Sequence, residues 1–506
     1  MTTVTEQKIQ EDKIKLKISN QLLTKSKYLI GLECPKYLWL VFNDSAQIKK
    51  VETEQLRLFE EGKKVGELAK KLFPDGIDLP TDFKENIVKT KEALNKGKCL
   101  FEAGFFFKNC FSRADILEPV ENEWDIIEVK SGTDVKDIHI HDLSFQKFIY
   151  ESNGLKIRKC FILHLNNEYV RKGDLEIQKL FVKKDVTFEV NKEIRFIDER
   201  IEEMFKIINS DKQSQKAGLF LKESFKKGYH DCINDGCIEL PENNVFCLYR
   251  GGKLSCELFE NNIIHIKDIP IHVKLNGKQQ IQKDCEIKKE VFIDKNKIKD
   301  FLKELKYPLH FMDFETFNPA IPMFDNTKPY SQIPFQFSLH IVEKEKSEPI
   351  HHYFLYEGDS DPRKDFIFEL KKAILEAGTI IVYNQPFEIS VLKNLAELYP
   401  ENKNWTDEIQ KRIIDLLIPF REFSYYNPNQ QGSASIKDVL PALTGKNYEG
   451  LEIKKGGTAS AEFMKMAYEE CPEKEKAKIK ENLLNYCKMD TWGEILIITE
   501  LKKFKR

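Results

Sequence analysis

Apolar residues recur every three to four positions through residues 20–75, in LIGLECPKYLWLVF and QLRLFEEGKKVGELAKKLF, and that spacing predicts helices with one buried face. From 98 to 165 the pattern changes to short apolar runs, CLFEAGFFF, RADILEPV, WDIIEVKSG and CFILHLN, which predict strands. A helical stretch, DLSFQKFIYESN, falls between the third and fourth. Helical spacing returns from about 195 to 225, and 230–290 carries mixed signals, HDCINDGC followed by the strand-like VFCLYRGGKLSCELF. The helix-patterned KNKIKDFLKELKYP then leads into a strand, LHFMDFETF, after which strands (FQFSLHIVE, HHYFLY, TIIVYN) alternate with helices. Such alternation is the mark of an α/β architecture. The predicted organisation is an α/β domain over 1–225, a cysteine-bearing connector over 226–300 and a second α/β domain over 301–506.

Composition narrows the class. With 41% hydrophobic and 32% charged residues in 506, the chain can build real cores, so wholesale disorder is excluded. No run of about 18 uncharged apolar residues occurs, so no membrane-spanning helix is expected. The polar start, MTTVTEQKIQEDKIKLKISN, lacks the apolar centre of a signal peptide, and a cytoplasmic location is the expectation. Eleven cysteines without a secretion signal point to free thiols or metal ligation rather than disulfides. The balance of 80 Lys+Arg against 82 Asp+Glu, net −2, weighs at first against a nucleic-acid partner.

Candidate chemistry changes that weighting. Glu128 and Lys130 lie two apart on a predicted strand and so share a face. Asp115 precedes them by a strand and a turn, and an antiparallel hairpin brings all three together. Two carboxylates can hold Mg²⁺ or Mn²⁺, and a lysine beside them can orient water and steady charge on a phosphate. An E-x-K pair by itself is in most cases an ordinary surface ion pair, and it is Asp115 and the strand context that favour chemistry. Gln146 and Tyr150, one helical turn apart, share a helix face. RADIL, EVKSG and Q-x-x-x-Y together resemble the RecB/Cas4-type branch of the PD-(D/E)xK nucleases over about residues 25–240. The resemblance implies a restriction-endonuclease-like fold, catalytic roles for Asp115, Glu128 and Lys130, and an active site lined by Gln146 and Tyr150. Where that branch often has a metal-touching histidine on an early helix, this chain offers Lys63; Glu102 is a candidate extra ligand. The branch also implies a [4Fe–4S] cluster on four cysteines. Cys34 matches the early one and Cys232 and Cys237 two of the late ones, with His230 as a substitute fourth ligand, Zn²⁺ as the alternative and structural thiols as the plain reading. Cys247 and Cys256 sit in apolar sequence and read as buried.

The C-terminal half carries the sharper signal. Asp313 and Glu315, two apart on a predicted strand, project to one face, and like charges that close call for a cation. TIIVYNQPFEISVLKNL places Asn384 and Glu388 at a strand-to-helix junction, and LLNYCKMDTWGEIL puts Tyr486 and Asp490 on one helix face. In this order the segments resemble the three motifs of the DEDD 3′–5′ exonucleases, in the tyrosine-bearing DEDDy form, on a ribonuclease H-like fold. The resemblance implies Asp313, Glu315, Glu388 and Asp490 as ligands of two divalent ions and Tyr486 as the residue that orients water. Glu388 stands where that family usually has aspartate; Asp415 is a fallback ligand. Among the aromatics near these motifs, Phe317, Tyr425 and Tyr426 are candidates for stacking on a terminal base, and Lys437, beyond a helix start near Ser435, for a phosphate contact.

The whole chain resembles the DUF2779 family, in which a RecB/Cas4-like nuclease domain precedes a DEDD-type domain; RADIL, EVKSG, IPFQFSLH, YNQPFE and YCKMDT carry this likeness. That family supplies no established activity, so the expectation rests on the two sites: a metal-dependent nuclease acting on DNA, single-stranded or with 3′ ends, with RNA as the other candidate polymer. Its C-terminal centre removes nucleotides from 3′ ends, and its N-terminal centre cuts or grips the strand. A nucleic-acid-binding protein with one or both centres inactive is the competing expectation. On either, near-zero net charge reads as acidic centres offset by basic tracks, such as KLFVKKD and the terminal KKFKR.

Overall fold

Strands and helices alternate along most of the chain in the computed structural model, which describes residues 21–49, 53–210 and 238–504. About half of the described residues are helical, and the sheets mix parallel and antiparallel pairs. The fold is mixed α/β. It divides into two compact units, Met1–Glu239 with Pro319–Pro329, and Leu240–Asn318 with Tyr330–Arg506. Within the predicted 226–300 connector, the described residues 238–239 cluster with the first unit and those from Leu240 onward with the second.

In unit 1, β1 (Leu23–Thr24) precedes α1 (Lys25–Glu33), α2 (Pro35–Asn43) and α3 (Thr53–Lys70). Then follow β2 (Ile77–Asp78), α4 (Phe83–Ala93), β3 (Leu100–Phe107), β4 (Cys110–Val120), β5 (Glu123–Lys130), α5 (Asp137–Ser152), β6 (Ile157–Leu165), β7 (Phe181–Asp185) and α6 (Ile197–Ile208). Among the described residues the sheet runs β2-β3-β4-β5-β6-β7, with β1 paired to β4. The expected hairpin is present: β4 and β5 are antiparallel, with Ile116 opposite Ile127. That register sets Asp115 beside Glu128. Helix α5 lies against β3, β4, β5 and β6 and buries Leu143, Phe145, Ile149 and Tyr150 in the core.

Unit 2 holds β8 (Phe292–Ile293), β9 (Leu309–Phe317), β10 (Ile333–Val342), β11 (Ile350–Leu355), β12 (Thr379–Val382), β13 (Ile413–Asp415) and β14 (Tyr425–Tyr426). Its main sheet has the order β11-β10-β9-β12-β13; the β11-β10 and β10-β9 pairs are antiparallel, while β9-β12 and β12-β13 are parallel. Parallel neighbours need a crossover, supplied here by α7 (Arg363–Ala373) and α8 (Gln385–Leu398). Met312 and Phe314 of β9 pack in one cluster with Phe366 and Leu370 of α7 and Val391 and Leu392 of α8. Alternation along β9 then sends Asp313 and Glu315 to the opposite face. That face is covered by α10 (Gly456–Tyr468) and α11 (Glu473–Lys503), while α9 (Ile436–Thr444) packs on α11.

The stretch VFCLYRGGKLSCELF, expected to be strand-like, is a turn of 3₁₀ helix at Val245–Cys247 and a helix at Gly252–Glu260. Gly251 and Gly252 break the apolar run. Ser255 and Leu258 are buried on one face of the helix, with Leu258 in a small core beside Val245, Leu248, Ile266 and Ile269.

Candidate functional site

Unit 2 gathers carboxylates from three elements. Asp313 and Glu315 come from β9, Glu388 from the first turn of α8, and Asp490 and Glu494 from successive turns of α11. Glu315 and Asp490 are about 7% exposed, and Glu388 and Glu494 about 1%. One oxygen each of Asp313 and Glu315 and the Cys487 sulfur lie within 4.8 Å of one another. The Cys487 thiol points to Asp313 Oδ2 at 3.5 Å. Tyr448 donates its hydroxyl to Asp490 Oδ1 at 2.5 Å, and Lys437 Nζ donates to the Tyr486 hydroxyl at 3.0 Å and to the Lys454 carbonyl at 2.5 Å.

Burying charge without a counter-charge is costly, several kcal/mol per ion in order of magnitude. Burial therefore pushes the carboxyls of Asp313, Glu315, Glu388 and Glu494 well above the usual range, and their repulsion of one another adds to it. Asp490 is pushed up to about 6 by burial, with the Tyr448 hydrogen bond and Lys437 opposing. Glu388 Oε2 and Glu494 Oε2 are buried and have no hydrogen-bond partner among the described residues. A set of hard oxygen donors, underpaired by one ammonium, fits a divalent cation.

Asp415 turns out to have another task. Its Oδ1 accepts from the backbone N–H of Asn384 (3.0 Å) and of Leu417 (2.9 Å). It thereby clamps the β12–α8 junction, where Asn384 is left-handed (φ 84°), and fixes the helix that delivers Glu388. Asn384 is exposed at that junction. Lys437 sits beside the carboxylates, two residues beyond the Ser435 cap of α9. Phe317, expected to stack on a base, is fully buried against Phe335, Phe463 and Tyr468, because it shares the inward face of β9 with the helix α10 above it. Tyr425 and Tyr426 are likewise core, 3% and 2% exposed, packed on Phe420 and Phe423. Three residues the sequence reading passed over belong to the site: Glu494, Cys487 and Tyr448. The four-residue step from Asp490 was the available signal for Glu494. Tyr448 had none, since a loop brings it in.

Unit 1 brings its predicted residues together differently. Lys130 Nζ donates to Glu128 Oε1 (2.8 Å) and Asp142 Oδ2 (2.7 Å), and Gln146 Nε2 to Glu128 Oε2 (2.7 Å) and Asp142 Oδ1 (2.9 Å). Lys25, at the start of α1, adds a second ammonium 2.7 Å from Glu128 Oε1. Lys25 and Asp142 were not legible beforehand. Asp115 Oδ2 accepts from the Val129 N–H at 2.7 Å. Burial and the Glu128 charge push Asp115 up to about 7. Burial would raise Glu128 too, but Lys130 and Lys25 hold it below the usual carboxylate range. Lys63, Lys70, Glu102, Asp115, Glu128 and Lys130 line a cleft of about 350 Å³, into which Gly62 and Gly66 of α3 leave room. Glu128 Oε1 carries two ammonium groups and Oε2 the Gln146 amide, so a divalent ion there competes with both lysines for the carboxylate charge.

Tyr150 is a correction. It shares the sheet-facing side of α5 with Gln146, yet its hydroxyl donates to the Ala103 carbonyl (2.5 Å) and accepts from the Ala114 N–H (2.6 Å), bracing β3 and β4 rather than lining the cleft. Tyr150→Phe leaves that N–H unsatisfied and is expected to cost about 1–3 kcal/mol, read as a urea transition moved to lower concentration. The basic tracks are also largely paired: Lys179 with Glu176, Lys183 with Glu118, Lys503 with Glu500, while Lys502 reaches the Tyr307 hydroxyl.

Cys34 caps α2, its sulfur accepting from the Tyr37 N–H at 3.4 Å, and packs with Leu40 and Ile238. Cys232, Cys237 and His230 lie outside the described residues. Cys247 and Cys256 are half-buried. No helix among the described residues is long and apolar enough to cross a membrane.

Comparison with known proteins gives relatives whose own roles are open. The chain is 25% identical over 228 residues to the uncharacterized protein MG366 homolog of Mycoplasma pneumoniae, covering 41% of this chain and 34% of the relative. It is 27% identical over 227 residues to the uncharacterized protein UU173 of Ureaplasma parvum, covering 40% and 32%. The chain thus spans about a third of the length of the relatives it matches. Residues 310–435, which include Asp313, Glu315 and Glu388 and end before Tyr486 and Asp490, match the model of a domain of unknown function, DUF2779.

Proposed function

We propose that this chain is a metal-dependent nuclease whose second unit hydrolyses phosphodiester bonds at the 3′ ends of DNA. One observation carries the reading: five carboxylates, four of them buried and Asp313 half-buried, converge from β9, α8 and α11 around Lys437, and two of their oxygens have no hydrogen-bond partner among the described residues. The strand order, with two antiparallel pairs followed by two parallel pairs, supports a ribonuclease H-like fold of the DEDDy kind. Asp313, Glu315, Glu388, Asp490 and Glu494 would hold Mg²⁺ or Mn²⁺. Bound there, such ions polarise a phosphoryl oxygen and lower the pKa of water. Lys437 engages a lone pair of the Tyr486 hydroxyl, which leaves the phenolic proton to orient a water or a phosphate oxygen. The Lys437 ammonium itself faces the place where charge builds on a scissile phosphate.

For unit 1 the reading is a restriction-endonuclease-like domain that grips a strand and feeds it onward. The two ammonium groups on Glu128 favour this over cutting, since they neutralise the carboxylates that a resident ion needs. Incubation of 5′-labelled single strands of DNA and of RNA with the full chain and Mn²⁺ or Mg²⁺ separates the possibilities. Progressive shortening of DNA from the 3′ end is expected. Equal shortening of RNA would make the chain a ribonuclease as well, and strand binding without cleavage of either polymer would favour a binding module.

A further inference from the structure

Cys487 stands apart in the carboxylate centre. It is fully buried on α11, between Tyr486 and the turn that carries Asp490, and its sulfur faces Asp313 at Oδ2 (3.5 Å) and the main-chain oxygen (3.9 Å). Among the described residues, the group whose ligand atoms already lie within 4.8 Å of one another is Asp313, Glu315 and Cys487: two oxygens and one sulfur. Glu388 and Glu494 each hold a buried oxygen with no hydrogen-bond partner among the described residues, both feel the Asp313 charge, and Glu494 feels that of Glu388 as well. Oxygen-only sites suit Mg²⁺, which does not take sulfur, whereas a thiolate draws borderline ions such as Zn²⁺ and Co²⁺.

We propose that Cys487 is a metal ligand, so that the unit 2 centre has a second mode of occupancy in which a Zn²⁺-class ion is bound by Asp313, Glu315 and the Cys487 thiolate, in competition with Mg²⁺ or Mn²⁺ bound by oxygens alone. The inference rests on the cation site proposed above and adds which ions it discriminates. On binding, the thiol proton leaves to solvent and the sulfur lone pair forms the bond to the ion, with no change in oxidation state. Mg²⁺-dependent turnover is then blocked by Zn²⁺, since the thiolate holds an ion where an exchangeable one is required.

Co²⁺ serves as the probe, titrated anaerobically into the chelator-treated full chain. A sulfur-to-cobalt charge-transfer band in the near ultraviolet is expected, displaced by Zn²⁺ and not by Mg²⁺. The band should be lost in Cys487→Ser, in Cys487→Ala and in Asp313→Asn, while both cysteine variants keep their thermal shift with Mn²⁺. A band of undiminished height in the cysteine variants would assign the sulfur to another residue and overturn the proposal. So would a wild type that gains stability from Mn²⁺ and shows no cobalt band; that outcome leaves the oxygen site standing. A wild type that responds to neither ion overturns both.

Discussion

Asp490→Asn is expected to slow metal-dependent shortening of a 3′ end by roughly 10³-fold, about 4 kcal/mol of barrier, with the chain still folded. The amide keeps the volume of the side chain and an oxygen to accept the Tyr448 hydroxyl, which now meets Oδ1 at 2.5 Å. What it removes is the negative charge on the helix turn that faces Asp313, and with it one anionic ligand of the proposed centre. Single-turnover rates on a 5′-labelled strand, set beside a thermal melt, check both halves of this expectation. A rate within about threefold of wild type would remove Asp490 from the catalytic set, given the 10²–10³-fold usual for such groups.

Chelator-treated protein is expected to lose thermal stability steadily from about pH 5 to pH 8, and Mn²⁺ to restore it most at the alkaline end. The sign follows from the direction of the shifts. Burial raises the folded-state carboxyls of Asp313, Glu315, Glu388 and Glu494 well above their unfolded value of about 4. Asp490 is raised to about 6 and Asp115 to about 7. The folded chain therefore holds protons that the unfolded chain has shed, and stability falls as pH climbs past the unfolded value. Glu128, lowered by its two lysines after burial has worked against them, contributes the opposite slope, which lies at more acid pH. A cation bound to the deprotonated centre reverses the loss: at a hundredfold excess over Kd it stabilises by about 2.7 kcal/mol, or roughly 5–10 °C for a unit of this size. Glu494→Gln should flatten the pH slope and shrink the Mn²⁺ shift together. A melting temperature indifferent to both pH and Mn²⁺ would mean that the carboxylates are satisfied without a cation.

Much of this arrangement was legible in residue order because it depends on local periodicity. Strand alternation alone places Asp313 with Glu315 and Glu128 with Lys130, and helical spacing places Tyr486 with Asp490. Residues whose position is set by tertiary packing were not legible. Lys25 reaches Glu128 across 103 positions of chain, and Tyr448 reaches Asp490 from a loop. The aromatics misled for a related reason: Phe317, Tyr425 and Tyr426 adjoin loops in sequence, but burying a large ring stabilises by about 1.5–3 kcal/mol, and each finds a core to enter. Tyr150 was placed on the right face of α5 and given the wrong work. Periodicity fixes a face, and only packing says whether the end of the side chain meets a carboxylate or a backbone. The charge balance of 80 to 82 hides two different solutions to buried acid: lysines bound to it in unit 1, and unfilled oxygens in unit 2.

The most direct test of the unit 2 centre is a time course of a 5′-labelled single strand with wild type and with Asp313→Ala, each in Mn²⁺ and in chelator. A ladder that shortens one nucleotide at a time from the 3′ end is expected from wild type in Mn²⁺ alone. An intact strand under that condition, or a ladder unchanged in Asp313→Ala, would contradict it.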